Sequence, residues 1–184
     1  MTRVDDDSEG VTGQALLVVD AINHFSHDDA DALLDSYHRR VAGMEAGLAR
    51  ARSARIPVVY ANDANGRWDG DGPGHVRDAI ERGRGGEVIA RLAPGPGELF
   101  LFKRRYSAFD NTPLRQALAD LGVKHVLLMG AATEGCVVQT GIDARELDLK
   151  ATILASACAT VDEELERLAL DYAERVAGIR IEAG

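Results

Sequence analysis

Three residues far apart in the chain, Asp20, Lys103 and Cys136, have the side chains needed to break an acyl bond together. A cysteine thiolate is a strong nucleophile, and a carboxylate can take the thiol proton and later deliver it to a leaving group. An ammonium beside them favours the thiolate. Thr133 has the side chain of a helix N-cap, which would put Cys136 in the first turn of a helix, where backbone amides favour an anion. Helix start and lysine are both expected to lower the thiol pKa. Gly135, next to the thiol, leaves room for a substrate, and amides of the 130–136 turn can hold a developing oxyanion. Each residue also has a plainer explanation. A cysteine followed by Val137 and Val138 is by default a small core residue. An aspartate often caps a turn, and a lysine at a strand end is usually a solvated charge. Only their joint placement favours chemistry.

That placement depends on the elements that carry them. Short apolar runs occur at Ala15-Leu16-Leu17-Val18-Val19, Ile56-Pro57-Val58-Val59-Tyr60, Leu99-Phe100-Leu101-Phe102, His125-Val126-Leu127-Leu128-Met129 and Ala151-Thr152-Ile153-Leu154-Ala155, with a weaker one at Ile179-Arg180-Ile181. Continuous apolar runs of this length are the mark of strands buried on both faces. Helical segments alternate with them at 29–54, 112–121, 134–147 and 162–177. In the first, Leu33, Leu34, Tyr37, Val41, Met44 and Leu48 recur at helical spacing. In the second, Thr112 precedes Pro113 and Gly122 ends the pattern. Alternating strands and helices imply an α/β fold, a parallel sheet covered by helices. Polar residues fall where the strands end: Asp20, then Asn62 and Asp63, then Lys103, then the 130–136 segment, then Ser156 and Cys158. Ligands bind outside the carboxyl ends of such strands, so acid, ammonium and thiol are expected at one edge. The Gly-, Asp- and Arg-rich stretch 62–97 reads as a long irregular insertion with weak helical pieces near residues 75–81 and 87–92.

Composition narrows the function. A chain of 184 residues fits one domain by the prior of about 100–200 residues each. Residues 1–13, with Asp5, Asp6 and Asp7, read as a disordered acidic tail before a domain over 14–184. A net charge of −9 argues against a nucleic-acid partner. No apolar run approaches the roughly 20 residues of a membrane span. The start lacks a basic segment followed by an apolar one, so a cytoplasmic protein is expected. Two cysteines, Cys136 and Cys158, make no disulfide framework, and Cys158 reads as structural. No glycine fingerprint follows the first strand, so no dinucleotide is implied, and no other cofactor is indicated.

Around the three residues the chain resembles the isochorismatase-like hydrolases, a superfamily of isochorismatases, nicotinamidases, N-carbamoylsarcosine amidohydrolases and related amidases. Gly130-Ala131-Ala132-Thr133-Glu134-Gly135-Cys136-Val137-Val138-Gln139-Thr140 is similar to the family's G-x-x-T-[DE]-x-C-V-x-x-T stretch. Lys103-Arg104-Arg105-Tyr106-Ser107-Ala108-Phe109 resembles its K-x-x-x-S-A-F stretch. Leu17-Val18-Val19-Asp20, with Asn23 and Phe25, resembles the strand delivering the catalytic aspartate, and Tyr60-Ala61-Asn62-Asp63 with Gly66-Arg67-Trp68 a further signature. The resemblance spans about residues 15–177. It implies a three-layer α/β/α sandwich with a six-stranded parallel sheet, Rossmann-like. It also implies a catalytic triad of Asp20, Lys103 and Cys136, a cis peptide between Ala131 and Ala132, an oxyanion hole from the amides of Ala132 and Cys136, and a homodimer or homotetramer.

The chain departs from the family pattern in places. Ile22 stands where a glutamine is common. Nicotinamidases hold a metal through an Asp-x-His pair, whereas Asp63 is followed by Ala64 and Asn65. Asp63 with His75 makes no closed metal site, and His24 and His27 read as loop residues, so no metal is expected. Isochorismatases proper lack the nucleophilic cysteine. Phe25, Asn62, Asp63, Trp68, Tyr106 and Phe109 are candidate substrate-binding residues, and Arg67, Arg104 or Arg105 suits a substrate carboxylate. The expected activity is cysteine-dependent hydrolysis of a C–N bond in a small amide or carbamoyl compound through a thioester. A catalytically silent binding or scaffold protein on the same fold is the alternative. A redox-responsive protein using Cys136 and Cys158 is a third.

Overall fold

Each apolar run becomes a strand: β1 (Gln14–Val19), β2 (Val58–Asp63), β3 (Leu99–Lys103), β4 (His125–Ala131), β5 (Lys150–Ala159) and β6 (Arg180–Glu182). The structure, a computed structural model, describes residues 13–64, 66 and 69–183. All strand pairs are parallel, in the order β3-β2-β1-β4-β5-β6. The helices are α1 (Ala30–Ser53), α2 (Gly72–Arg82), α3 (Gly86–Arg91), α4 (Leu114–Asp120), α5 (Val138–Glu146) and α6 (Glu163–Arg175), with a π-helical turn (Thr133–Val137) leading into α5.

Alternate residues of β1 point to opposite faces of the sheet. Leu16 and Val18 join a core with Leu33, Tyr37, Met44 and Leu48 of α1 and with Ala79 and Ile89 of α2 and α3. Ala15, Leu17 and Val19 join a second core with Leu114 and Leu118 of α4, Ala144 of α5 and Ala173 of α6. Both faces are covered, which is why the strands read as unbroken apolar runs. The result is a three-layer α/β/α sandwich.

Three expectations change. The helical pieces expected near residues 75–81 and 87–92 are α2 and α3, but the stretch 62–97 is less irregular than expected, since β2 runs on to Asp63 and α2 starts at Gly72. Glycine richness hid only the start of α2, which begins at a cap: Asp71 Oδ1 accepts from the Gly74 amide at 2.8 Å, with Pro73 in the first turn. Packing of Ala79, Val88, Ile89 and Leu92 into the core supplies the rest. Secondly, β5 does not end at Ala155. It continues because Cys158 and Ala159 pair with Gly130 and Ala131 across a register irregularity. Thirdly, Thr133 is no N-cap. Its hydroxyl points to Ala159 O and Glu166, and Cys136 lies in the π-turn rather than the first turn of an α-helix. Residues 1–12 of the expected acidic tail lie outside the described residues.

Strand order reverses direction between β1 and β4, and the chain leaves their carboxyl ends toward opposite sides. That crevice is where open α/β sheets bind ligands. Asp20 follows β1, and the π-turn follows β4 by way of Ala132.

Candidate active site

Lys103, the last residue of β3, is 1% exposed and points back under the crevice. An ammonium has three N–H donors. All three have an acceptor here: Asp20 Oδ2 at 2.6 Å, Arg105 O at 2.8 Å and Cys136 Sγ at 3.4 Å. Asp20 is held in turn. Its Oδ1 accepts from the Asp63 amide at 2.7 Å, and its carboxylate also accepts from the Cys136 thiol. Its backbone adopts φ 46°, a left-handed conformation that aspartate tolerates better than most residues. The trio thus comes together from three strand ends.

Burial raises the Asp20 carboxyl pKa above the ordinary value; Lys103 and the hydrogen bonds from Cys136 and Asp63 pull against it. Burial opposes the Lys103 ammonium, but Asp20 and Cys136 outweigh it and carry its pKa upward. Burial and the adjacent Asp20 charge push the Cys136 thiol up to about 12, with Lys103 pulling the other way. The lowered thiol pKa expected from the sequence is therefore corrected. The thiol is buried against a carboxylate, and the ammonium is shared with that carboxylate. Below that value the thiol keeps its proton at rest and has a base in contact with it.

Two cavities of about 640 and 660 Å³ meet at Cys136, Asp63 and Tyr106. The first is also lined by Asp20, Asn23, His24, His27, Asp29, Ala132 and Gly135. The second is also lined by Lys103, Arg104, Arg105, Asp110, Gln139 and Asp143. A Cβ built on Gly135 meets no heavy atom within 4 Å, so the approach to the thiol is open there. Ala132 follows a cis peptide from Ala131 and lines the first cavity with Cys136.

The candidate substrate contacts separate. Asp63 and Tyr106, the latter 71% exposed, stand where the cavities join. Asn62 borders the first cavity, but its amide is engaged: Oδ1 accepts from Ile22 N at 3.0 Å and Nδ2 donates to Ile22 O at 2.8 Å. It fastens the loop after β1. Phe25 lines neither cavity; it is fully buried in the core with its ring edge-on to Tyr37. Phe109 lines neither cavity; it is half-buried and packs against the core that holds Leu114, Leu118 and Val138. Trp68 and Arg67 lie outside the described residues. His24 and His27 are loop residues on the cavity wall, and His75 is buried with ring contacts to His24 and Phe102. Among the described residues no group of three or more His, Cys, Asp or Glu side chains is placed to hold a metal. Cys158 is fully buried, and its thiol donates to Leu154 O.

Sequence reasoning passed over several residues here. Gln139 and Asp143 lie three and seven positions after Cys136, so helical spacing would have found them. Thr140 bridges two segments, donating to Cys136 O at 2.7 Å and accepting from the Ala108 amide at 3.0 Å. Arg40 and Glu166 carry no local signal, since they stand 126 residues apart on helices from opposite faces of the sheet and only their side chains meet.

Residues 14–182 match the family model for the isochorismatase domain. The chain is 31% identical over 163 residues to an uncharacterized isochorismatase family protein, YaaI, of Bacillus subtilis (strain 168), covering 89% of this chain and 90% of that one. It is 32% identical over 172 residues to the ureidoacrylate amidohydrolase RutB of Variovorax paradoxus (strain S110), covering 78% and 67%. Among solved structures it is similar to N-carbamoylsarcosine amidase from Thermoplasma acidophilum, with a TM-score of 0.69 and 29% identity over 92% of this chain and 95% of that one. On its fold, its strand-end chemistry and these matches, the chain belongs to the isochorismatase family of hydrolases.

Proposed function

We propose that this protein hydrolyses a C–N bond of a small amide or carbamoyl compound through a thioester on Cys136, with Asp20 and Lys103 completing a catalytic triad. The observation that carries the reading is the position of Lys103 Nζ, 2.6 Å from Asp20 Oδ2 and 3.4 Å from Cys136 Sγ, beneath two cavities that meet at the thiol. In the attack, the thiol proton passes to Asp20 as Sγ bonds to the substrate carbonyl carbon. The Asp20 carboxylic acid then protonates the leaving nitrogen as the C–N bond breaks. A water molecule, deprotonated by Asp20, hydrolyses the thioester and restores the thiol. Lys103 keeps its proton throughout and balances whichever of Asp20 and Cys136 is negative. The amides of Ala132 and Cys136 receive the oxyanion, and Asp63 and Tyr106 contact the substrate. The names of the two characterised relatives, an amidohydrolase and an amidase, support the bond type. No cofactor takes part in these steps. Cytoplasmic location and assembly as a homodimer or homotetramer complete the proposal; light scattering checks the second.

The test combines a screen of small amides and ureido compounds with trapping of the acyl-enzyme. Turnover by the wild type, a mass increase confined to Cys136, and loss of both in Cys136→Ala are expected. A wild-type Cys136 that resists both substrate and iodoacetamide in the folded protein would indicate a catalytically silent member of the family.

A further inference from the structure

We propose that Arg40 and Glu166 are positioning residues for the nucleophile, acting through Thr133. The proposal rests on the assignment of Cys136 as nucleophile. Neither residue lines the cavities at Cys136, so neither touches substrate. Together they form a bidentate pair between α1 and α6: Arg40 Nη1 donates to Glu166 Oε1 at 2.5 Å and Nη2 to Oε2 at 2.6 Å. Arg40 Nη1 also donates to Cys158 O in β5 at 2.9 Å. Glu166 is 6% exposed, and its Oε1 accepts a further bond from the Thr133 hydroxyl at 2.7 Å. That hydroxyl lies 3.0 Å from Ala159 O as well.

Thr133 is fully buried and opens the π-turn that carries Cys136 three residues later. Elsewhere the turn is tied by Glu134, whose carboxylate accepts from the Val161 amide and the Thr160 hydroxyl, and by Thr140 at Cys136 O. Its first residue is tied through Glu166. A buried ion pair is a weak source of stability, since apolar side chains of the same shape often serve as well. What this pair supplies is direction. A planar fork fixes the Glu166 carboxylate, and the carboxylate fixes the Thr133 hydroxyl. The Lys103 to Sγ distance of 3.4 Å leaves little tolerance, and a shift of about 1 Å at a reacting group can cost about a hundredfold.

The experiment follows iodoacetamide alkylation against pH, with mass spectrometry assigning the label to Cys136 or Cys158. Cys158, fully buried beside Arg40, is the internal reporter of opening. Wild type, Glu166→Gln, Glu166→Ala, Arg40→Lys, Thr133→Val and Thr133→Ser are compared. In Glu166→Ala and Thr133→Val the Cys136 rate near neutral pH is expected to fall roughly ten- to a hundredfold, with its pH midpoint moved upward and Cys158 unlabelled. Thr133→Ser, which keeps the hydroxyl, and Glu166→Gln, which keeps an acceptor, should recover most of the rate. Arg40→Lys, which loses the fork, should recover less. Unchanged Cys136 kinetics with Cys158 protected would overturn the proposal. So would labelling of Cys158 in the variants, which assigns the pair a structural role alone. An unreactive Cys136 in the wild type overturns the nucleophile assignment itself, an outcome distinct from both.

Discussion

Removing either charge beside Cys136 changes the thiol in opposite directions. In Asp20→Asn the repelling carboxylate is gone and Lys103 remains, so the thiol pKa should drop below about 12. In Lys103→Met the pull on the thiolate is gone, so thiolate should form less readily. Thiolate absorbance near the ultraviolet edge, titrated with pH, checks both. Turnover should nevertheless fall in both variants, by about 10²–10⁴-fold in Asp20→Asn, because a more acidic thiol does not replace the proton carrier that the proposed mechanism assigns to Asp20. The pH dependence follows from the same residue. Burial raises the Asp20 pKa, and in the proposed mechanism only the ionised carboxylate can accept the thiol proton. Wild-type kcat/KM should therefore fall as pH drops through a midpoint above the ordinary aspartate value of 3.8. An acid limb that persists unchanged in Asp20→Asn would assign that midpoint to another group.

The elements that present these residues tolerate very different changes a few positions apart. Gly130, near the end of β4, has φ 126°, and a Cβ there would lie 1.9 Å from Val19 O of β1. The backbones of β1 and β4 meet there because Gly130 is paired with Val19 in the sheet, which leaves no room for a side chain. Gly130→Ala should cost about 3 kcal/mol or more, read as a lower urea midpoint or as insoluble protein. Gly135→Ala meets open space, and its effect on stability should stay within about 1 kcal/mol. The added methyl group instead enters the cavity beside Cys136, so KM should rise while the melting temperature barely changes. The 112–121 helix was readable from Thr112 and Pro113, and α4 begins at Leu114 with its amide bonded to the Thr112 hydroxyl. The insertion was less readable: both of its helices left a weak periodic signal, but glycines blurred where α2 starts, and tertiary packing holds the pair in place.

Across the whole molecule, Glu98 joins the end of α1 to the edge of the sheet. Its carboxylate accepts from Arg52 Nε at 2.7 Å, Arg52 Nη2 at 2.9 Å and the Gly95 amide at 2.7 Å. Burial works to raise its pKa, but these bonds outweigh it and hold the pKa below the ordinary 4.5. Its contribution to stability is complete above the unfolded-state value and is lost as pH falls through the lower folded value. Thermal melts should show Glu98→Gln losing part of the acid-side slope of the wild type, with the two proteins closest in stability at the lowest pH. The fold was largely legible in the chain. Alternating apolar runs and helical periodicity are local patterns, and burial of both sheet faces leaves them plain in strands such as Leu16 to Val19. The strand-end positions of Asp20, Lys103 and Cys136 were legible for the same reason. What required the tertiary structure was everything set by distance and burial. Phe25 and Phe109 went to the core instead of the cavities, and Thr133 turned to Glu166 instead of capping a helix. The Cys136 thiol moved up to about 12 where its neighbours in sequence had suggested the reverse. A side chain's type is written in the sequence, but its dielectric surroundings and its partners across more than a hundred residues exist only after the layers have packed.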